Sequence, residues 1–246
     1  MIYTSLNNEE FYLDPDAKVS EMDRDDDQVV VTYLDREGRS VTERFDYALA
    51  ATGREPNVRG LGLENTGLAL DRRGVPLFDP DTLQCGNAPV FIAGDANNVL
   101  PLLHVAADEG KAAGENAASY PQVKPLARRA TIAVVFSDPQ IAMVGQRHAD
   151  LAEGSFVTGE VSFEDQGRSR VMLKNRGLMH VYADKQTGRL LGAEWTGPRA
   201  ENIAHLLAWS YQQGLTVAQM LGMPFYHPVL EEGLRTALRD VAEKLI

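Results

Sequence analysis

The carboxyl-terminal half of this 246-residue sequence predicts an α+β domain of about 120 residues, an antiparallel sheet with helices on one side. Three observations carry this. After Pro121 and Pro125, which mark a boundary, the composition turns to short runs rich in β-branched residues. Leu178–Ala183 and Leu190–Thr196, joined by the polar turn Asp184–Arg189, read as a long hairpin. The chain then closes in helical patterns, the last being Leu230–Leu245 with Leu234, Leu238, Val241 and Leu245 on one stripe.

The elements follow in order. The first ten or so residues carry no usable pattern, and the opening lacks the basic start and apolar centre of a signal peptide. Glu21–Asp27 is dense in acids and reads as a solvated loop. Val29–Leu34 and Ser40–Phe45 flank the turn Asp35–Gly38 and predict a hairpin. Tyr47–Ala51 is a short apolar run that stops at Gly53 and Pro56. A second run, Ala88–Ala93, reads as a strand ending in Gly94-Asp95, with a helix expected over His104–Ser119. Strand, Gly-Asp, loop and helix is one way to build a ligand site, with the glycine admitting close approach and the acid accepting from a ligand hydroxyl. Asp95 could equally brace a turn.

Beyond Pro125, Ile132–Phe136 and Ile141–Gly145 read as strands around Ser137–Gln140, and Val171–Lys174 as a short edge. Glu201–Gln213 has Ile203, Leu206, Leu207 and Tyr211 at helical spacing, with Gly214 placed to end it. Thr216–Leu221 is a second short helix. Trp195 and Trp209 are read as core or interface anchors.

Composition narrows the function classes. A net charge of −11 argues against nucleic acid and anionic membrane as partners, because both repel an acidic surface. No apolar run approaches the roughly 20 residues of a membrane span. Cys85 is the only cysteine, which excludes an intrachain disulfide and a cysteine-built metal site. The expectation is a cytoplasmic protein.

The densest chemistry lies in Phe225–Gly233. His227 precedes a proline, and Glu231 and Glu232 follow at the head of a helix. Histidine titrates nearest neutrality, and a carboxylate in reach can orient and tune it. Either acid also suits a helix N-terminus, and His227 could equally be a plain surface or core histidine. His180 and His205, within strand and helix patterns, read as ordinary.

Four motifs together resemble a known family. Ala51–Asn57, Phe91–Asp95, Phe136–Pro139 and His227–Glu232 occur in the order found in pyridine nucleotide-disulfide oxidoreductases, and within them the chain looks most like the dihydrolipoamide dehydrogenases. The similarity runs from about Phe11 to the end. The resemblance implies a remnant of an NAD-binding domain over 1–50 and the C-terminal part of an FAD-binding domain over 51–122, both partial α/β domains. It implies a dimerisation domain over 123–246. FAD and NAD are the implied cofactors. Asp95 would bond the FAD ribityl chain, Pro101, Leu102, Leu103 and His104 would pass near the flavin, and Gly53 would lie near the nicotinamide nucleotide. His227 would be the acid/base and Glu232 its carboxylate partner, serving the flavin–disulfide centre of the other subunit of a homodimer. A 2-oxo acid dehydrogenase complex, met through its lipoyl domains, is a further implied partner. His227-Pro228 could be a cis peptide, since X-Pro bonds tolerate that form.

The chain departs from the family pattern in three respects. Neither GxGxxG loop nor the cysteine pair occurs, and Gly60-Leu61-Gly62 with Asn65 reads as a loop. Val229 stands where the family has threonine, and Phe225 where a second histidine is common. The expectation is the C-terminal portion of a dihydrolipoamide dehydrogenase-like enzyme, inactive alone. The alternatives are a non-enzymatic dimerisation module or a relative such as glutathione or mercuric reductase.

Overall fold

The computed structural model describes residues 13, 14 and 16–245. The opening stretch, read above as lacking a leader pattern, lies almost wholly outside them. The chain divides into two compact units. One is Ala48–Arg128, and the other gathers the described residues up to Tyr47 with those from Arg129 onward.

The earliest described elements form a three-stranded antiparallel sheet, β1 (Lys18–Asp25), β2 (Gln28–Leu34) and β3 (Ser40–Phe45), in that order. The expected hairpin is present, with Val29 opposite Phe45 and Leu34 opposite Ser40. Its turn is closed by Asp35, whose carboxylate accepts from the Glu37 and Arg39 amides. The expectation of a loop over Glu21–Asp27 is corrected: that stretch is strand as far as Asp25, paired with β2. All eight β1 residues are exposed, so the backbone ladder holds the strand and burial leaves no apolar alternation to read.

In the Ala48–Arg128 unit the main element is helix α1 (Leu103–Ser119). The remainder is turns and single bridges, packed around Val58, Val75, Leu83 and Cys85. The strand expected over Ala88–Ala93 is not formed as a strand. Its backbone meets Leu83–Cys85 through one bridge, Gln84 to Phe91, and two flanking bonds, then turns into a 3-10 turn at Gly94–Asn97. An apolar run signals burial of its side chains, whereas a strand also needs a partner backbone along its length.

The region after Arg129 builds the predicted α+β domain. Strands β4 (Ile132–Val135), β5 (Gln140–Gly145), β6 (Phe156–Ser162), β7 (Leu178–Asp184) and β8 (Leu190–Gly197) form one antiparallel sheet in the order β4-β5-β8-β7-β6. Helices α2 (Gly167–Val171), α3 (Ala200–Gln212), α4 (Val217–Leu221) and α5 (Glu232–Lys244) complete it. A single core joins Val144, Met179, Val181, Ala193 and Trp195 of the sheet to Ile203 and Leu207 of α3 and Leu234, Leu238 and Val241 of α5. Trp195 is thus a core anchor, while Trp209 is 65% exposed.

Two readings in this region are corrected. Val171–Lys174 is no edge strand: Val171 ends α2, and Leu173 takes a left-handed φ of 56° in an exposed turn. Strand β6 was not anticipated, because Gly159 and Glu160 interrupt its apolar pattern. Gly159 is there because α5 passes close by. A Cβ at that position would sit 2.2 Å from the Ala237 carbonyl oxygen.

Candidate functional site

The last helix positions the His227 site. Leu230 and Leu234 are buried in the core and fix where α5 begins. Gly233 lies against the buried Phe163 ring, where an added Cβ would stand 3.0 Å from Cε1. The chain therefore enters α5 through a tightly placed loop, with His227-Pro228 in the cis form.

Within that loop, His227 Nδ1 lies 2.8 Å from Glu232 Oε1, and the second carboxylate oxygen, Oε2, accepts the Val229 amide at 3.1 Å. Glu232 thus uses both oxygens, one to orient the ring and one to fix itself to the backbone. The His227 hydrogen bond, followed by the Val229 amide, holds the Glu232 carboxyl below the ordinary carboxylate value; the charge of Arg235 adds to this. An ionised carboxylate only accepts, so Nδ1 must carry the proton in this contact. A neutral ring then presents Nε2 as a proton acceptor. The His227 side chain is 80% exposed and Glu232 27%, so the ring faces outward on a carboxylate rooted in the fold. Glu231 instead occupies the N-cap of α5 and lines a neighbouring groove.

That groove has a volume of about 470 Å³ and is mostly apolar, with walls that include Leu206, Trp209, Met223, Phe225, Tyr226 and Leu234. Tyr226 is 80% exposed, and the Arg235 guanidinium sits 5.8 Å from the centre of the Phe225 ring.

A second histidine–glutamate contact exists. His180 Nε2 lies 2.8 Å from Glu160 Oε2, on directly opposite residues of β7 and β6. There no backbone amide among the described residues bonds the other carboxylate oxygen, and His180 is less exposed than His227. It is a cross-strand pair of the ordinary kind.

The other residues singled out by sequence belong to the Ala48–Arg128 unit. Gly53 adopts φ 108° with open space where a Cβ would stand, and with Arg54, Arg59, Arg72 and Arg73 it lines a cleft of about 520 Å³. Asp95 lies exposed in the 3-10 turn, where its carbonyl oxygen accepts the Asn98 amide at 3.2 Å, and other side chains tie the turn to the rest of the unit. Those ties come from Glu109 of α1. Its buried carboxylate accepts the Gly94 amide at 2.8 Å and Asn97 Nδ2 at 2.7 Å, and pairs with Arg128 at 2.9 Å. Gly94 has φ 65°, and a Cβ there would stand 2.8 Å from the Ala106 Cβ, so no larger residue fits. An exposed carboxylate on so tight a turn is an acceptor suited to a hydroxyl-bearing ligand such as a ribityl chain. Pro101, Leu103 and His104 are exposed and Leu102 is half-buried where α1 starts.

Sequence reasoning missed Glu109 and Gln166. For Glu109 a signal existed: with Ala113 and Asn116 it forms the buried stripe of α1, an acid at a core-facing position. For Gln166, a loop residue before α2, no pattern in the sequence marked it.

Comparison with known proteins now adds to this geometry. Residues 131–238 match the family described as "Pyridine nucleotide-disulphide oxidoreductase, dimerisation domain". A dihydrolipoyl dehydrogenase of Haloferax volcanii is 32% identical over 225 residues, covering 90% of this chain and 47% of that protein. A mercuric reductase of Acidithiobacillus ferrooxidans is 30% identical over 81% of this chain and 37% of its own length. Among solved structures, LpdA from Mycobacterium tuberculosis superposes with a TM-score of 0.81 at 26% identity, over 97% of this chain and 51% of that one. The chain spans about half the length, or less, of the curated relatives it matches.

Proposed function

Since this chain belongs to the pyridine nucleotide-disulphide oxidoreductase family, we propose that it forms the dimerising, proton-handling part of an FAD-dependent enzyme of the dihydrolipoamide dehydrogenase kind. The net reaction would be the oxidation of a dithiol to a disulfide, with NAD receiving two electrons and one proton while a second proton is released. The observation that carries this reading is the His227–Glu232 contact at 2.8 Å, with Glu232 anchored on the Val229 amide.

In this reading His227 accepts the thiol proton at Nε2, because the thiolate is the nucleophile in disulfide exchange. Glu232 keeps Nδ1 protonated and stabilises the ring once both nitrogens carry protons. Bound FAD supplies the relay by which an electron pair leaves the thiols for NAD. Asp95 would hold its ribityl hydroxyls, with Pro101–His104 alongside, and Gly53 would lie near the nicotinamide nucleotide. The domain division is proposed as 1–50 from an NAD domain, 51–122 from an FAD domain and 123–246 as the dimerisation domain. A homodimer through the last of these is supported by the family description of residues 131–238. A 2-oxo acid dehydrogenase complex met through lipoyl domains, and a cytoplasmic setting, complete the reading. No helix among the described residues is long and apolar enough to cross a membrane.

The test is His227→Gln in a full-length enzyme ending in this sequence. Dithiol turnover should fall about 10²-fold, the scale of general acid/base catalysis, while FAD content holds. Undiminished turnover would remove His227 from the chemistry. A second reading, a non-enzymatic dimerisation module, is favoured by one fact. The sole cysteine, Cys85, is fully buried, and burial raises its thiol pKa. It predicts no dithiol oxidation by the chain under any cofactor supplement.

A further inference from the structure

We propose that Gln166 is a positioning residue for the His227–Glu232 pair; the inference rests on the reading of that pair given above. Gln166 stands at the N-cap of α2, more than sixty residues before His227 in sequence but in the same compact unit. Its side-chain oxygen accepts both the amide (2.7 Å) and the hydroxyl (2.9 Å) of Ser169, a residue with no solvent exposure. Two donors on one oxygen fix which end of the amide is which, and the nitrogen must point the other way. There Nε2 donates to the Val229 carbonyl oxygen at 2.7 Å.

Val229 is therefore pinned from both sides. Its carbonyl is held by Gln166, and its amide is held by Glu232, whose other oxygen carries the His227 ring. The loop from Phe225 to Glu231 has no regular secondary structure of its own between α4 and α5. It needs a fixed point if the ring is to keep one orientation, because imidazole geometry depends on the hydrogen bond made by the other nitrogen. Gln166 supplies that point from the β6–α2 connection, which is itself fixed by the buried Phe163. Gln166 touches no reacting atom in this scheme; it acts through Val229 and Glu232.

Gln166→Glu separates the two roles of the residue. A glutamate keeps an oxygen for Ser169, so α2 stays capped, but it presents a second acceptor to the Val229 carbonyl and breaks that link. The readout is the imidazole ¹⁵N spectrum of His227 in the 246-residue chain with the ring neutral. In the unmodified chain the two ring nitrogens should be well separated, with Nδ1 the protonated one. In Gln166→Glu they should move together as the ring samples both tautomers. Glu232→Gln, measured alongside, must shift the same resonances. If Glu232→Gln shifts them and a folded Gln166→Glu does not, the positioning role is wrong and the pair stands. If Glu232→Gln leaves them in place, the pair itself is wrong and the proposal falls with it. A direct check needs no variant: a scalar coupling across the hydrogen bond from Gln166 Nε2 to the Val229 carbonyl carbon. Its absence from the unmodified chain overturns the proposal even if the variant fails to fold.

Discussion

The His227 site turns on one carboxyl group. Glu232 has its pKa lowered in the folded chain by the His227 bond first and the Val229 amide second. An acid depressed on folding contributes stability that is fully present above its unfolded value, near the reference value of 4.5, and lost as pH falls through the folded value. Glu232→Gln should therefore flatten the acid limb of the stability curve below pH about 4.5, measured by urea unfolding across pH. Asp184 and Asp240 are lowered too, so some slope should remain. A slope equal to that of the unmodified chain would mean the Glu232 bonds are not kept in solution. The pairing of His227 with an acid was legible in the sequence because both partners lie in one short stretch. The choice of Glu232 over Glu231 rested on the family spacing alone, and in the fold it is Glu232 whose carboxylate meets both His227 Nδ1 and the Val229 amide, while Glu231 stands at the N-cap position without a side-chain capping bond. Glu160 opposite His180 could not be read, since cross-strand contacts depend on register.

At the scale of elements, helix α1 and the Gly94–Asn97 turn form one unit held by Glu109. Glu109→Ala would leave the Gly94 amide, the Asn97 amide and Arg128 without their shared acceptor. The expected cost is about 3 kcal/mol, the lower end for a broken buried pair, because Arg128 still reaches water. Guanidinium unfolding gives the cost, and faster hydrogen exchange at the Gly94 amide locates it; protection as in the unmodified chain would exclude the role. The α3, α4 and α5 helices were readable from apolar spacing, because each has one face in the core. Strands β1 and β6 were not, for opposite reasons. β1 buries nothing, and β6 gives up a side chain at Gly159 to admit α5. Pattern reading finds elements that bury an alternating face, and both strands lack one.

At the scale of the whole molecule, the groove beside His227 carries Trp209, Met223 and Tyr226, each more than half exposed. Apolar side chains so placed in a dimerisation domain are expected to be covered by a second copy. Trp209→Glu should move the chain from dimer to monomer in sedimentation velocity at micromolar concentration, and a dimer of undiminished stability would place the interface elsewhere. Motif order made the family readable over most of the length, since four short motifs in sequence are hard to assemble by chance. Their placement in space needed the fold. One feature of that fold bears on inheritance as well as chemistry. His227, Glu232, Val229, Gln166 and Ser169 all lie between residues 166 and 232 of a single unit, so the assembly proposed to handle the proton travels as one block. If each site takes its flavin from one subunit and its histidine from the other, a dimer of this chain with a full-length His227→Gln enzyme would regain one working site. Coexpression should then raise dithiol turnover above the level, about 10²-fold reduced, of the His227→Gln enzyme by itself.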